Sequence, residues 1–164
     1  METLSTEIEA TLQAWREQGE SIVFTNGVFD ILHAGHVTYL KGARELGSRL
    51  IVGVNADASV RMLGKGPNRP INDEASRKLV LEALRSVDVA VVFSSQTPMD
   101  LIAQIRPNVL VKGGDYDPQV ESENDKRYIV GSREVLEYGG KVTVIPFLEG
   151  HSTTAIIEKS RSKG

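Results

Sequence analysis

The sequence predicts one α/β domain of the Rossmann-like, doubly wound class, a five-stranded parallel sheet with helices on both faces. Three observations carry that expectation. Short β-branched runs alternate along the chain with amphipathic stretches of helical period, the pattern that gives parallel strands joined by right-handed helical crossovers. Glycine-bearing turns follow the first and fourth of those runs, at the strand ends where such sheets bind ligands. The 164 residues, 40% of them hydrophobic, suit a single core with no internal boundary or repeat.

Taken in order, Leu4, Ile8, Leu12 and Trp15 share one helical face, which predicts an amphipathic helix over residues 3–18 within an opening segment 1–20. Ile22 to Thr25 reads as a strand ended by Asn26-Gly27, and a helix follows from about Gly35 to near Gly47. Leu50 to Val54 is a second strand, after which Asp57 can cap a short helix. Residues 64–70, Gly-Lys-Gly-Pro-Asn-Arg-Pro, predict a mobile loop. Asn72 is the expected cap of a helix running to about Val87, with Asp73 and Glu74 in its first turn. Val89 to Phe93 is the third strand, and Thr97-Pro98-Met99-Asp100 a helix start with Thr97 as cap and Pro98 at the first position. Val109 to Lys112 is the fourth strand, residues 113–126 a long polar loop, and Ser132 to Tyr138 a helix closed by Gly139-Gly140. Lys141 to Pro146 is the fifth strand and Thr153 to Lys159 the last helix.

The formal charge of -3 and a pI near 5.7 provide no overall basic field, which argues against a nucleic-acid partner. There is no cysteine for thiolate or disulfide chemistry, no secretory pattern at Met1-Glu2-Thr3-Leu4, and no apolar run of membrane-spanning length. A soluble, cytoplasmic protein is expected.

The turn after the first strand, Gly27-Val28-Phe29-Asp30-Ile31-Leu32-His33-Ala34-Gly35-His36, puts two histidines three apart at a helix mouth. That spacing sets both imidazoles on one face beside exposed N–H groups and the positive end of the helix dipole, a phosphate site. Gly35 lets a ligand come close to the backbone. A metal reading is weaker, since two histidines are too few ligands and Asp30 lies across a turn. After the fourth strand, Lys112-Gly113-Gly114-Asp115-Tyr116 offers two glycines for close approach and Asp115 as an acceptor for ribose hydroxyls or a base amine, or else a plain surface turn. His151-Ser152-Thr153-Thr154 gathers hydroxyls at the start of the last helix, a second anion site beyond what an ordinary cap requires.

Gly27-x-Phe29-Asp30-x-x-His33-x-Gly35-His36 resembles the signature of the HxGH nucleotidyltransferases, the superfamily of cytidylyltransferases and phosphopantetheine adenylyltransferase. In that family the histidines hold the triphosphate and stabilise charge on the reacting α-phosphate. With residues 25–30, 69–72, 112–116 and Gly150-x-Ser152-Thr153-Thr154, the chain looks like the adenylyltransferase domain of ADP-heptose synthesis from about Ile22 to Lys159. The resemblance implies transfer of AMP from ATP, with Mg²⁺ carried mainly by the phosphates, to D-glycero-D-manno-heptose 1-phosphate for lipopolysaccharide assembly. It further implies that Lys65 and Arg77 reach the phosphates, where a solvated Lys and Arg are the bland alternative. Asp30 reads mainly as orienting the turn or a histidine, with a metal role as the alternative. Arg85-Ser86-Val87-Asp88-Val89 resembles the dimer segment of cytidylyltransferases, so a homodimer is expected, with a local ion pair as the plain alternative.

The chain departs from that pattern in three places. Glycerol-3-phosphate cytidylyltransferase carries Arg-Thr where Phe147-Leu148 stand, which argues against CTP. The sugar kinase often fused to the heptose enzyme is absent, so a separate kinase is expected to supply the acceptor. Gln119 to Val130 is longer and more charged than the usual connection. Glycerol 3-phosphate or FMN as acceptor, and ATP sensing without turnover, are the alternatives.

Overall fold

The computed structural model describes residues 3–64 and 66–162. Five strands, β1 (Ile22–Gly27), β2 (Arg49–Asn55), β3 (Val89–Phe93), β4 (Val109–Gly113) and β5 (Lys141–Ile145), form one parallel sheet in the order β3-β2-β1-β4-β5. The sequence runs outward in both directions from β1, so the winding reverses between β1 and β4. Val23 pairs with Leu50 on one side and Val109 on the other. The fold class expected from the sequence is the one observed.

Strand side chains alternate between two cores, as a sheet covered on both faces requires. One core joins Phe24, Ile51 and Leu110 to Leu12 of α1 (Thr6–Glu17), to Leu101, Ile102 and Ile105 of α5 (Met99–Ile105), and to Val135 of α6 (Ser132–Glu137). The other joins Val23, Val52 and Val111 to Tyr39, Leu40 and Ala43 of α2 (Ala34–Arg44) and Leu81 of α4 (Glu74–Glu82). The short α3 (Asp57–Met62) follows β2, and α7 (Thr153–Arg161) closes the described chain.

Several helix ends differ from expectation. α1 begins at Thr6, because the Ser5 side chain accepts from Ile8 N–H and caps it. Asp73, rather than Asn72, caps α4 by accepting from Ser76 N–H at 2.7 Å; Asn72 is drawn away to Asp30. α4 ends at Glu82, short of Val87. Thr97 does not cap α5, whose cap position holds Pro98 with no side-chain bond. Asp57 lies inside the first turn of α3 and accepts from Arg77 instead of capping.

Candidate active site

The β1–α2 turn is held by its own residues and by a distant segment. Phe29 takes a left-handed backbone, φ +50°, and lays its ring against Gly27, where a Cβ would stand 3.0 Å from Phe29 Cε2. For a non-glycine residue that conformation costs about 1–2 kcal/mol. The same ring meets His36 edge-on, with centroids 5.3 Å apart. Asp30, its carboxylate fully buried, accepts from Arg69 Nε at 2.7 Å and from the backbone N–H groups of Ile71 and Asn72 at 2.9 Å, while Asn72 Nδ2 donates back to Asp30 O at 2.6 Å. Burial pushes this carboxyl up, but the two N–H groups and the guanidinium outweigh it and hold it below its ordinary value. Asp30 thus ties the turn to residues 69–72, and does not orient a histidine.

His33 stands at the N-cap of α2, and its Nδ1 accepts from His36 N–H at 3.4 Å. The neutral ring then carries its proton on Nε2. Burial, and next the neighbouring His151, lower the pKa of His33, which keeps it neutral at pH 7. The rings of His33 and His36 stack with centroids 3.8 Å apart, and His151 lies 6.2 Å from His33 at a 25° tilt. Gly35 makes this convergence possible: a Cβ there would come within 2.9 Å of the His33 ring and 3.1 Å of His151 Cβ. Thr153 Oγ1 donates to Ile31 O at 3.4 Å, and Ser152 caps α7 by accepting from Ala155 N–H. The N-termini of α2 and α7 therefore border the same cleft, an arrangement suited to a polyphosphate.

That cleft, of about 830 Å³, lies over the carboxyl ends of the strands. It brings together Gly27, Val28, Phe29, His33, Gly35, His36, Lys112, Gly113, Tyr116, Ser152 and Thr153 from the sequence-chosen set. Lys112 donates to Asn26 Oδ1 and lies 5.4 Å from the Tyr116 ring centroid; burial pushes its ammonium down to about 8.

Other sequence-chosen residues stand elsewhere. Arg77 is 1% exposed and does not line the cleft; its guanidinium donates to Val28 O at 2.7 Å, Asn72 O at 3.0 Å and Asp57 Oδ1 at 2.7 Å. It is neither a phosphate contact here nor a solvated cation, but a brace between α4, α3 and the β1–α2 turn. Asp30 is behind the wall, and Gly114 and the exposed Asp115 are outside it. The glycine pair is not a bare platform: a Cβ on Gly114, φ +72°, would sit 2.0 Å from Phe147 Cε2, so the glycines receive that ring. Lys65 lies outside the described residues. Among the described residues no three His, Asp or Glu side chains are grouped to hold a metal ion, and no helix is long and apolar enough to cross a membrane.

A cytidylyltransferase-like family profile matches residues 24–159. The chain belongs to that family. Bifunctional protein HldE of Methylobacillus flagellatus is 52% identical over 153 residues, 93% of this chain and 30% of that protein. The HldE proteins of Pseudomonas paraeruginosa and Cronobacter sakazakii are 56% and 55% identical, over 91% and 92% of the chain. The chain spans about 30% of the length of these relatives. A lipopolysaccharide core biosynthesis protein from Thermoplasma volcanium aligns with a TM-score of 0.62 and 29% identity, covering 81% of this chain and 100% of that one. As a member of the cytidylyltransferase-like family the chain is a nucleotidyltransferase, and the turn after β1 lines the cleft together with residues that follow β4 and open α7.

The cleft wall also includes residues that sequence reasoning did not select, among them Tyr39, Asn55, Arg69, Gln96, Thr97 and Tyr128. Asn55 ends β2, a position the carboxyl-end rule marks. Tyr128 belongs to the segment 119–130 noted for its length, and nothing in its spacing reveals that it turns inward. Tyr39 is buried, its OH 2.7 Å from Thr25 Oγ1, and burial holds its pKa up at about 12.

Proposed function

We propose that this nucleotidyltransferase moves AMP from Mg·ATP to a sugar 1-phosphate, D-glycero-D-manno-heptose 1-phosphate, giving ADP-heptose and pyrophosphate. The observation that carries the transfer chemistry is the stacked His33–His36 pair at the N-terminus of α2, beside the α7 N-terminus on one side of the cleft. Identity of 52–56% to HldE proteins supports the heptose acceptor. An oxygen of the sugar phosphate attacks the α-phosphorus, the bond from that phosphorus to the bridging oxygen breaks, and the electron pair leaves with pyrophosphate. A phosphate monoester has a second pKa of about 6, so the nucleophile is dianionic at neutral pH and needs no base. The His33 and His36 imidazoles and the helix N-termini, fixed in place beforehand, stabilise the charge that develops. Magnesium, which would neutralise charge on the departing pyrophosphate, would be held mainly by the phosphates, since the buried Asp30 carboxylate is committed to Arg69, Ile71 and Asn72.

Phe147, seated on Gly113-Gly114, offers a flat surface for a purine and no cation for a cytosine carbonyl. A pyrophosphate-release screen of ATP and CTP against heptose 1-phosphate, glycerol 3-phosphate and FMN tests the assignment. ATP with heptose 1-phosphate is the expected pair, ahead of CTP by at least about tenfold in kcat/KM, roughly 1.4 kcal/mol. A CTP preference overturns the nucleotide, and activity on the other acceptors alone overturns the sugar.

We propose further that a separate sugar kinase acts upstream and that the enzyme works in the cytoplasm. We propose a homodimer whose contact includes the exposed Leu79 and Val80 of α4. Within the 85–89 segment, Asp88 is already paired inside the chain with Arg44 and Arg49. Sedimentation at micromolar concentration checks the dimer, and a monomer alone rejects it.

A further inference from the structure

The cleft is divided by the sheet edge into two sides with different chemistry. Asn26 follows Phe24 by two residues and Lys112 follows Leu110 by two, so both share the face of the core built on α1, α5 and α6. Gly113 points the other way: a Cβ on it would meet Tyr39 and Phe147, on the face covered by α2. The polyphosphate donors belong to that second side, because α2 carries His33 and His36 and the start of α7 packs on the start of α2. The far side is walled by Gln96 and Thr97 before α5 and by Lys126 and Tyr128 before α6.

Among the described residues, Lys112 is the one strongly buried cation in this wall with only neutral partners. It is 8% exposed, bonded to the Asn26 carboxamide and set beside the Tyr116 ring. Among the described residues it forms no ion pair, whereas Arg69 is paired with Asp30. A buried charge without a counter-charge is costly to the folded state unless something in the site supplies one. The depressed pKa has the same cause.

In-line displacement at the α-phosphorus places the attacking and leaving oxygens on opposite sides of it. With pyrophosphate held on the α2 and α7 side, the acceptor approaches from the side of Lys112. We propose that Lys112, steered by Asn26, binds the acceptor's phosphate through its non-attacking oxygens on the α5–α6 side of the crevice. The inference rests on the adenylyl-transfer reading given above. The new bond joins the acceptor oxygen to the α-phosphorus, the electron pair of the broken bond leaves on pyrophosphate, and Lys112 keeps its proton while offsetting the repulsion between two phosphate groups. It is a binding residue for the second substrate, not for the triphosphate.

K112Q, which keeps a donor for Asn26 and removes the charge, K112M and K112R separate charge from packing. Steady-state kinetics with Mg·ATP and heptose 1-phosphate should show K112Q and K112M raising the acceptor KM at least about tenfold, with the ATP KM within about twofold of wild type. K112R should recover part of the loss. Thermal melts and ATP titrations confirm folded variants, and K112Q is the readout if K112M does not fold. A raised ATP KM with an unchanged acceptor KM overturns the assignment, as does no change in either. Absence of turnover in the wild type with every sugar phosphate defeats the adenylyl-transfer reading instead. Lys112 is then judged by titrating inorganic phosphate into ATP-saturated protein: binding by wild type that K112Q loses supports the site, and equal binding, or none in either, overturns it.

Discussion

Replacing Asp30 with Asn tests the physical basis of the site most sharply, because one carboxylate holds the histidine-bearing turn to residues 69–72. Asp30 accepts from Arg69 Nε and from the N–H groups of Ile71 and Asn72, all within 2.7–3.0 Å. An amide presents only one oxygen to these donors and turns an NH₂ toward the rest. Loss of the charge-assisted bond to Arg69 is worth about 1.5–3 kcal/mol, and a buried N–H facing another donor about 1–3 kcal/mol. D30N should therefore be less stable by roughly 3–5 kcal/mol. At about 2–4 °C per kcal/mol for a domain of this size, the melting temperature followed by circular dichroism should fall by about 6–20 °C at pH 7.

The pH dependence has a definite sign. The folded carboxyl lies below its ordinary value of 3.8. Its stabilisation is then fully present above that value and is lost as the pH falls through the lower folded value. The gap between wild type and D30N should be level from about pH 5 to 8 and shrink on further acidification. A folded D30N within about 1 kcal/mol of wild type, or a gap that widens in acid, refutes the reasoning.

Other substitutions separate catalysis from bracing. Either His33→Ala or His36→Ala should lower kcat about 10²-fold, the loss that follows removal of a transition-state donor; unchanged turnover in a folded double variant removes the histidines from the mechanism. Arg77→Met should cost roughly 3–5 kcal/mol in chemical denaturation, as breaking a buried ion pair does, while the remaining folded protein binds ATP as wild type; an ATP affinity at least tenfold weaker with unchanged stability returns Arg77 to the phosphates. Gly114→Ala forces a left-handed residue and evicts Phe147, so about 1–2 kcal/mol of stability should be lost, measured by melting, together with weaker ATP binding by titration.

Much of the fold was readable because its local and long-range signals agree. The strands are β-branched runs bounded by turn residues, and strand–helix alternation leaves few topologies. The histidine motif was readable because its residues lie close together in sequence and act on one helix start. What escaped was decided by partners far along the chain. Asn72 has the chemistry of a cap, but Asp30, 42 residues away, takes it, and Asp73 caps instead. Arg77 reads as a helical cation, and only the position of Val28 O and Asp57 shows that it points inward. The glycine pair suggests space for a ligand, whereas the first occupant of that space is Phe147, more than thirty residues later in the chain. Tyr128 and Lys126 join the site through the path of a long loop, for which periodicity carries no information.

The central claim is adenylyl transfer to a sugar phosphate, and the most direct measurement is the identity and yield of its products. The protein is incubated with Mg·ATP and heptose 1-phosphate, the sugar nucleotide is identified by mass spectrometry, and pyrophosphate is measured in the same mixture. ADP-heptose and pyrophosphate formed in equal amounts, both lost in the His33→Ala/His36→Ala double variant, is the predicted result. ATP bound without release of pyrophosphate, or pyrophosphate released with no nucleotide attached to the sugar phosphate, contradicts the account.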